Sequence, residues 1–257
     1  MEKPLITASD PVRVPYQLDE GPGRYRLGLI VLASDNATEQ DFMNMRPHRD
    51  VTIYTSRVRN VNPVTIENLT KMAPLLTEST ASIAGDLRLD AVAYSCTSGT
   101  LAIGYDRVAE TIHAARPGVP VITPMTAAIA AFEALKVKRV AVLTPYIDDI
   151  NLPMAAYIRE HGPEVVGFTA FQIEDDNDMA RVPPEAIYQA GLQADRAEAE
   201  ALFISCTALR AAEVVERLEQ ALGKPVVTSI QAMFWQSLRD AGCTDPVTGY
   251  GCLMEKH

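Results

Sequence analysis

The sequence predicts an α/β fold of two pseudo-symmetric lobes, each a small parallel sheet flanked by helices, with the active site in the cleft between them. Three observations predict it. Apolar runs of strand length alternate with helix-patterned stretches along nearly the whole chain, the pattern of parallel sheets joined by right-handed crossovers. Landmarks recur: Arg139 follows Arg26 by 113 residues, Cys206 follows Cys96 by 110, and Pro225 follows Pro120 by 105. Offsets this constant indicate one internal duplication, not a short-period solenoid. Finally, Ser-Cys-Thr closes an apolar run in both halves, at Cys96 and at Cys206.

Residues 1–23 carry Pro4, Pro11, Pro15 and Pro22 without periodicity, and read as an arm laid over the surface. Arg26–Ala33 is a continuous apolar strand of the kind buried on both faces of a parallel sheet. Ser34-Asp35-Asn36 is turn and cap material, with a helix from Thr38, and Asp50–Ser56 is a second strand. Thr65–Asp86 is mostly helical, broken or kinked early by Pro74. The Cys96 strand and a helix to about His113 follow, and Pro120–Thr123 is a short fourth strand.

The order then repeats. Arg139–Tyr146 answers the first strand and its turn, Ile150–His161 is a helix, Glu164–Phe171 a strand and Pro184–Asp195 a helix. The Cys206 strand leads into a helix over Leu209–Leu222, and Pro225–Thr228 matches Pro120–Thr123. Helices Ala127–Leu135 and Gln231–Asp240 follow the two Pro-Val strands. The division this implies is a first lobe over residues 1–123, to which 229–257 returns, and a second over 124–228. The turn-rich tail Gly242–Cys252 is expected near the mouth of the cleft, and the apolar stretch Met125–Leu135 at an interface of a homo-oligomer.

Composition narrows the function. The chain has 257 residues, 47% hydrophobic and 22% charged, the content of an ordinary globular protein. A net charge of −10 argues against a nucleic-acid partner, which wants a basic stripe. No apolar stretch is long enough to span a bilayer, and Met1–Thr7 does not read as a secretory signal, so no membrane partner is expected. Four cysteines without CxxC or zinc-like spacing are expected as reduced thiols in a cytoplasmic protein. The four histidines form no HxxxH or HExxH, and GxGxxG, Walker and GxSxG patterns are absent. The expectation is therefore no metal and no cofactor.

What remains is the pair of thiols. A single cysteine at a strand end is usually a small buried hydrophobe. Two in equivalent repeat positions, each before a helix start, point to catalysis, since a helix N-terminus and hydroxyl neighbours lower a thiol pKa from about 8.5 towards neutrality. Cys243 and Cys252 lack that context and read as incidental. Thr97, Ser98, Thr100 and Thr207 either cap helices or, with their backbone N–H groups, hold a substrate carboxylate, two roles that are compatible. Asp35-Asn36 forms an Asx turn, or Asn36 donates to a carboxylate. Tyr146 occupies the corresponding place in the second half and either donates its phenol to an anion or packs. The acidic run Glu174–Asp178 lacks EF-hand spacing and is a solvated loop that reaches towards the cleft.

Two cysteines on pseudo-equivalent strands with an asparagine after the first strand resemble the aspartate/glutamate racemase superfamily, over nearly the whole chain from Tyr25. Maleate cis–trans isomerases, arylmalonate decarboxylases and the racemase-like proteins of ectoine utilisation are its most similar branches. Ser34-Asp-Asn-Ala-Thr38 is similar to the isomerases' Ser-Ser-Asn-Thr-Thr, which implies carboxylate binding by Asn36. Pro145-Tyr146-Ile-Asp-Asp-Ile-Asn151 is similar to the decarboxylases' Tyr-Ile-Asp-Asp-Val-Asn, which places Tyr146 in a dioxyanion hole. Cys96-Thr97-Ser98 aligns with their Gly-Thr-Ser, whose hydroxyl residues bind the same carboxylate. The isomerases' second substrate-binding Asn falls at Asp176 or Asn177. Cys96 departs from the decarboxylases' glycine.

The resemblance therefore implies a cofactor-independent isomerase or racemase of a small carboxylate or dicarboxylate, with Cys96 and Cys206 catalytic and a place in ectoine degradation. The alternatives are covalent maleate isomerisation, arylmalonate-type decarboxylation, and a small-acid binding protein without catalysis.

Overall fold

The computed structural model describes residues 14–257, so most of the expected N-terminal arm, residues 1–13, lies outside the described residues; 14–23 form no helix or strand. The first half runs β1 (Tyr25–Leu32), α1 (Thr38–Asn44), β2 (Val51–Val58), α2 (Ile66–Thr70), α3 (Leu76–Ala81), β3 (Ala91–Ser95), α4 (Thr97–Ile103), α5 (Tyr105–Ala115), β4 (Val121–Ile122) and α6 (Pro124–Ala134). The second repeats it with β5 (Arg139–Thr144), α7 (Asp148–His161), β6 (Glu164–Ala170), α8 (Asp176–Met179), α9 (Pro184–Ala194), β7 (Ala201–Ile204), α10 (Val215–Leu222), β8 (Val226–Thr228), α11 (Ser229–Asp240) and α12 (Gly251–Lys256).

Each half forms one parallel four-stranded sheet, ordered β2-β1-β3-β4 and β6-β5-β7-β8. The same order in both sheets is the duplication made visible. The central strands β3 and β7 are almost wholly apolar because helices cover both faces: every residue of both is buried. The strands carrying the two cysteines therefore lie beside β1 and β5 in the middle of their sheets.

The repeated Pro-Val-x-Thr motif ends each sheet and starts a helix. Thr123 and Thr228 each accept a backbone N–H from three residues on, and Thr126 and Gln231 bond back, giving two capping boxes. The helices so started, α6 and α11, pack on one another. Each also reaches the opposite half: Phe132 of α6 meets Phe203 of β7 edge-on at 5.6 Å, and Phe234 of α11 meets Phe42 of α1 at 4.7 Å. Beyond Phe42, α11 lies on β1, β3 and β4.

The face of α6 formed by Met125, Ala127, Ala128, Ala131 and Phe132 is buried within this chain, against α11, so its apolar content is explained without a second copy. The tail ends in α12 beside the start of α11. Its helix α12 packs on α10, α11 and β8, and Gln231 Nε2 donates to the Tyr250 carbonyl.

Candidate functional site

At the end of β3 the backbone leaves the sheet extended at Cys96 and enters α4 directly. Cys96 is the N-cap: the Gly99 N–H donates to Sγ at 3.1 Å, and the Thr100 N–H and hydroxyl donate to its carbonyl at 2.9 and 2.7 Å. This close approach requires glycine at 99. A Cβ there would lie 2.7 Å from Cys96 Sγ and 2.5 Å from Tyr94 Oη, closer than any contact allows. Gly99→Ala is accordingly expected to displace the thiol and cost about 1–3 kcal/mol of stability, measured by urea unfolding.

The second strand end is built differently. After β7 no α-helix begins; Cys206 has φ of 91°, a left-handed conformation rare for a residue with a side chain. The chain turns tightly, with the Ala211 N–H donating to the Leu209 carbonyl at 2.7 Å, and α10 starts only at Val215. The expected helix from Leu209 is thus displaced to Val215. Strain of this kind, about 1–3 kcal/mol, persists where surrounding structure imposes it and clusters at functional sites.

Hydrogen bonds lock the two strand ends to each other. Ser229 Oγ accepts the Cys206 N–H at 3.2 Å and the Thr97 hydroxyl at 3.1 Å, and the Thr207 hydroxyl donates to the Ser95 carbonyl at 3.3 Å. Thr38 Oγ1 lies 2.9 Å from Ser95 Oγ and donates to Asp35 at 2.6 Å. Between the ends is a narrow cavity lined by Leu32, Asp35, Ser95, Cys96, Thr97, Ser98, Tyr146, Asp176, Cys206, Thr207 and Ala208. It leaves room for about one water molecule. Larger depressions on the surface, such as the one bordered by Arg88, Arg116 and Asp240, contain neither of these thiols.

Most of the residues singled out in the sequence therefore converge: Cys96, Cys206, Thr97, Ser98, Tyr146, Thr207, Asp35 and Asp176. Asn36 and Asn177 do not. Asn36 is exposed and its amide donates to the Ser34 carbonyl at 3.0 Å, while the buried Asp35 beside it faces the cavity. Asn177 is exposed and folds onto Asp175, whereas Asp176 turns inward. The sequence left Asp176 and Asn177 open; a one-residue step along the chain puts them on opposite sides of the short α8.

Burial dominates the electrostatics. Desolvation pushes both thiols up, Cys96 and Cys206 each to about 12, with the charge of Asp176 adding to it in both. The Gly99 amide and Ser98 oppose the rise at Cys96, and the Tyr146 phenol opposes it at Cys206. This reverses the lowering expected from cap amides and hydroxyls: a few dipoles do not repay removal of a thiolate from water. Burial likewise raises Asp176, against hydrogen bonds from Ser34 and Asn60, and lifts Tyr146 well above the ordinary phenol range.

Sequence reasoning missed Gly99, Ser229, Ser34 and Asn60. Ser229 had a signal, since it directly follows the repeated Pro-Val-x-Thr; Asn60 had none, because it reaches Ser34 and Asp176 only through the fold. Among the described residues, the grouping of metal-type side chains is His48, Cys243 and Asp245, with His48 Nε2 2.9 Å from Asp245 Oδ2. None of the three lines the cavity.

The pattern of the arylmalonate decarboxylase family matches residues 76–254. The chain belongs to that family. It is 30% identical over 246 residues to the maleate isomerase of Pseudomonas putida strain KT2440, spanning 90% of this chain and 97% of that one. It is 34% identical over 142 residues to the arylmalonate decarboxylase of Bordetella bronchiseptica, 54% of this chain and 59% of that one. The crystal structure of the maleate isomerase Iso from Pseudomonas putida S16 superposes with a TM-score of 0.82 at 26% identity, covering 90% of this chain and 98% of the other. The resemblance read from the Ser34–Thr38 and Pro145–Asn151 motifs is thus shown, and these relatives are enzymes. No helix among the described residues is long and apolar enough to cross a membrane.

Proposed function

We propose that this chain is a two-cysteine isomerase or racemase that works without a cofactor on a small carboxylic acid seated between Cys96 and Cys206. The observation that carries this is the convergence of both thiols, from equivalent strand ends of the two halves, on one cavity lined with hydroxyls. The same reading takes the lobes as residues 1–123 with 229–257, and 124–228; the packing of α11 on β1, β3 and β4 supports it.

In racemisation, one sulfur as thiolate removes the α-proton, and the C–H electron pair moves into the carboxylate to give an enediolate. The opposite thiol then delivers its own proton to the other face, so the two sulfurs exchange roles. In this reading Ser98 and the Tyr146 phenol stabilise the charge that develops on the carboxylate oxygens, while the Thr97 and Thr207 hydroxyls, already donated to Ser229 and the Ser95 carbonyl, hold the strand ends in place. Because burial holds both thiols protonated, the reactive thiolate forms only when one of them gives up its proton on substrate entry. The pair titrates as coupled sites.

The relatedness to maleate isomerases favours a second course within the same site. There a thiolate adds to the alkene, the resulting C–C single bond rotates, and elimination returns the thiolate and the trans acid. One set of assays decides between the courses: solvent deuterium entry at the α-carbon of saturated acids, conversion of maleate to fumarate, and carbon dioxide release from malonates. Exchange without net isomerisation of maleate is the expected result. Binding of acids with no exchange, isomerisation or decarboxylation would leave a non-catalytic binding protein.

A further inference from the structure

The cavity between the thiols is lined by two unlike kinds of group: Ser98 and Tyr146 offer hydroxyls, Asp35 and Asp176 offer carboxylates, and the lining includes no lysine, arginine or histidine. The two carboxylates are not equivalent. Asp35 is occupied by its own turn: Oδ1 accepts the N–H groups of Ala37 and Thr38 at 2.9 Å, and Oδ2 accepts the Thr38 hydroxyl. Asp176, only 9% exposed, is held from behind, with Ser34 and Asn60 donating to Oδ2 and its N–H donating to Asn62. Its Oδ1 accepts no hydrogen bond from the described residues, and it is not sealed from water. An oxygen left open on a cavity can take a donor or a positive charge from a ligand.

We propose that Asp176 determines the specificity of this site by holding a protonated amine of the substrate, so that the substrate is a small amino acid and not a dicarboxylate. The proposal rests on the two-thiol reading of the cavity and adds its second recognition group. With the substrate carboxylate against Ser98 and Tyr146, a second carboxylate would meet Asp176 in a narrow, largely buried site, where like charges repel more than in water. An ammonium in that place satisfies Oδ1 instead. It also offsets the negative charge that helps keep both thiols protonated, which couples thiolate formation to occupancy of the site.

The test pairs acids that differ in the amine: alanine against propionate, and 2,3-diaminopropionate against succinate. Binding is followed by isothermal titration and α-proton exchange by NMR in deuterium oxide, with wild type and Asp176→Asn. The amine-bearing member of each pair is expected to bind about 100-fold tighter to wild type, the scale of a buried charge pair, and the preference is expected to vanish in the variant. Asparagine can still accept from Ser34 and Asn60, and thermal melting verifies its fold. If the variant does not fold, the wild-type pairs alone decide. Equal or tighter binding of the amine-free acids, failure of both amine-bearing acids to bind, or a preference that survives Asp176→Asn overturns the proposal. Exchange on diacids that needs both cysteines while amines are ignored would remove this proposal and keep the two-thiol reading. Asp176-dependent amine binding without exchange would do the reverse.

Discussion

Cys96→Ser and Cys206→Ser are each expected to lower turnover by about 10³-fold or more, because each removes one of the two groups that exchange a proton with opposite faces of the substrate. The double variant should be scarcely worse than either single one, since the thiols act as a unit. The serine hydroxyl keeps the size and hydrogen bonds of the thiol, so the cavity survives, and near-UV circular dichroism should confirm it. Normal turnover in one single variant would mean that only one sulfur takes part, as expected of a decarboxylase that protonates a single face.

The same substitutions carry a pH signature with a definite sign. An unfolded thiol ionises near its ordinary value of 9.0, whereas the folded protein holds both protons to about 12. The unfolded state therefore binds fewer protons as the pH rises through 9, and stability is lost between about pH 9 and 12, while below 9 it is fully present. Urea unfolding of wild type should show this alkaline loss, and each serine variant should show less of it. Turnover in wild type should rise with pH over the same range, because the thiolate is the reactive form.

Both lobes were legible in the sequence because the evidence for them is periodic and local. A buried central strand reads as an apolar run wherever it occurs, and Pro-Val-x-Thr announces a strand end and a capped helix without knowledge of the rest. Convergence of the cysteines was legible for the same reason, through the duplication. What stayed hidden depends on geometry finer than a pattern. Cys206 lies in a Ser-Cys-Thr like that of Cys96, yet it adopts positive φ and no helix follows at once. The cap argument then fails at one of the two sites. The direction of the thiol pKa values was misread because neighbouring dipoles are visible in sequence and desolvation is not. Asn36 and Asp35 show the smallest version of the problem: adjacent residues in one turn, of which the fold buries only the second named.

Asp41→Asn should stabilise the protein at pH 8 by about 2–4 kcal/mol and leave it nearly unchanged at pH 4, the scale of a carboxyl pKa shifted by about three units. Asp41 lies on the inner face of α1, 5% exposed, and its Oδ2 is buried without a hydrogen-bond partner. Burial, with the charges of Glu213 and Asp35 adding to it, pushes its carboxyl up to about 7; Arg210 opposes, but too weakly to restore it. The unfolded carboxyl ionises near 3.8, so between about pH 4 and 7 the folded state carries the extra proton and stability falls as the pH rises. Above 7 the native protein contains an ionised and incompletely solvated carboxylate, and the amide of asparagine removes that burden. The position gives the effect meaning. Asp41 belongs to the helix that follows Asp35, while Arg210 and Glu213 belong to the segment that follows Cys206, so ionisation loads the contact between the two strand-end segments that enclose the cavity. Urea unfolding of both proteins at pH 4 and pH 8 measures the difference. Equal stability at pH 8 would mean that Arg210 pairs with an ionised Asp41 closely enough to cancel the cost of its burial, and the contact would then be neutral to pH across that range.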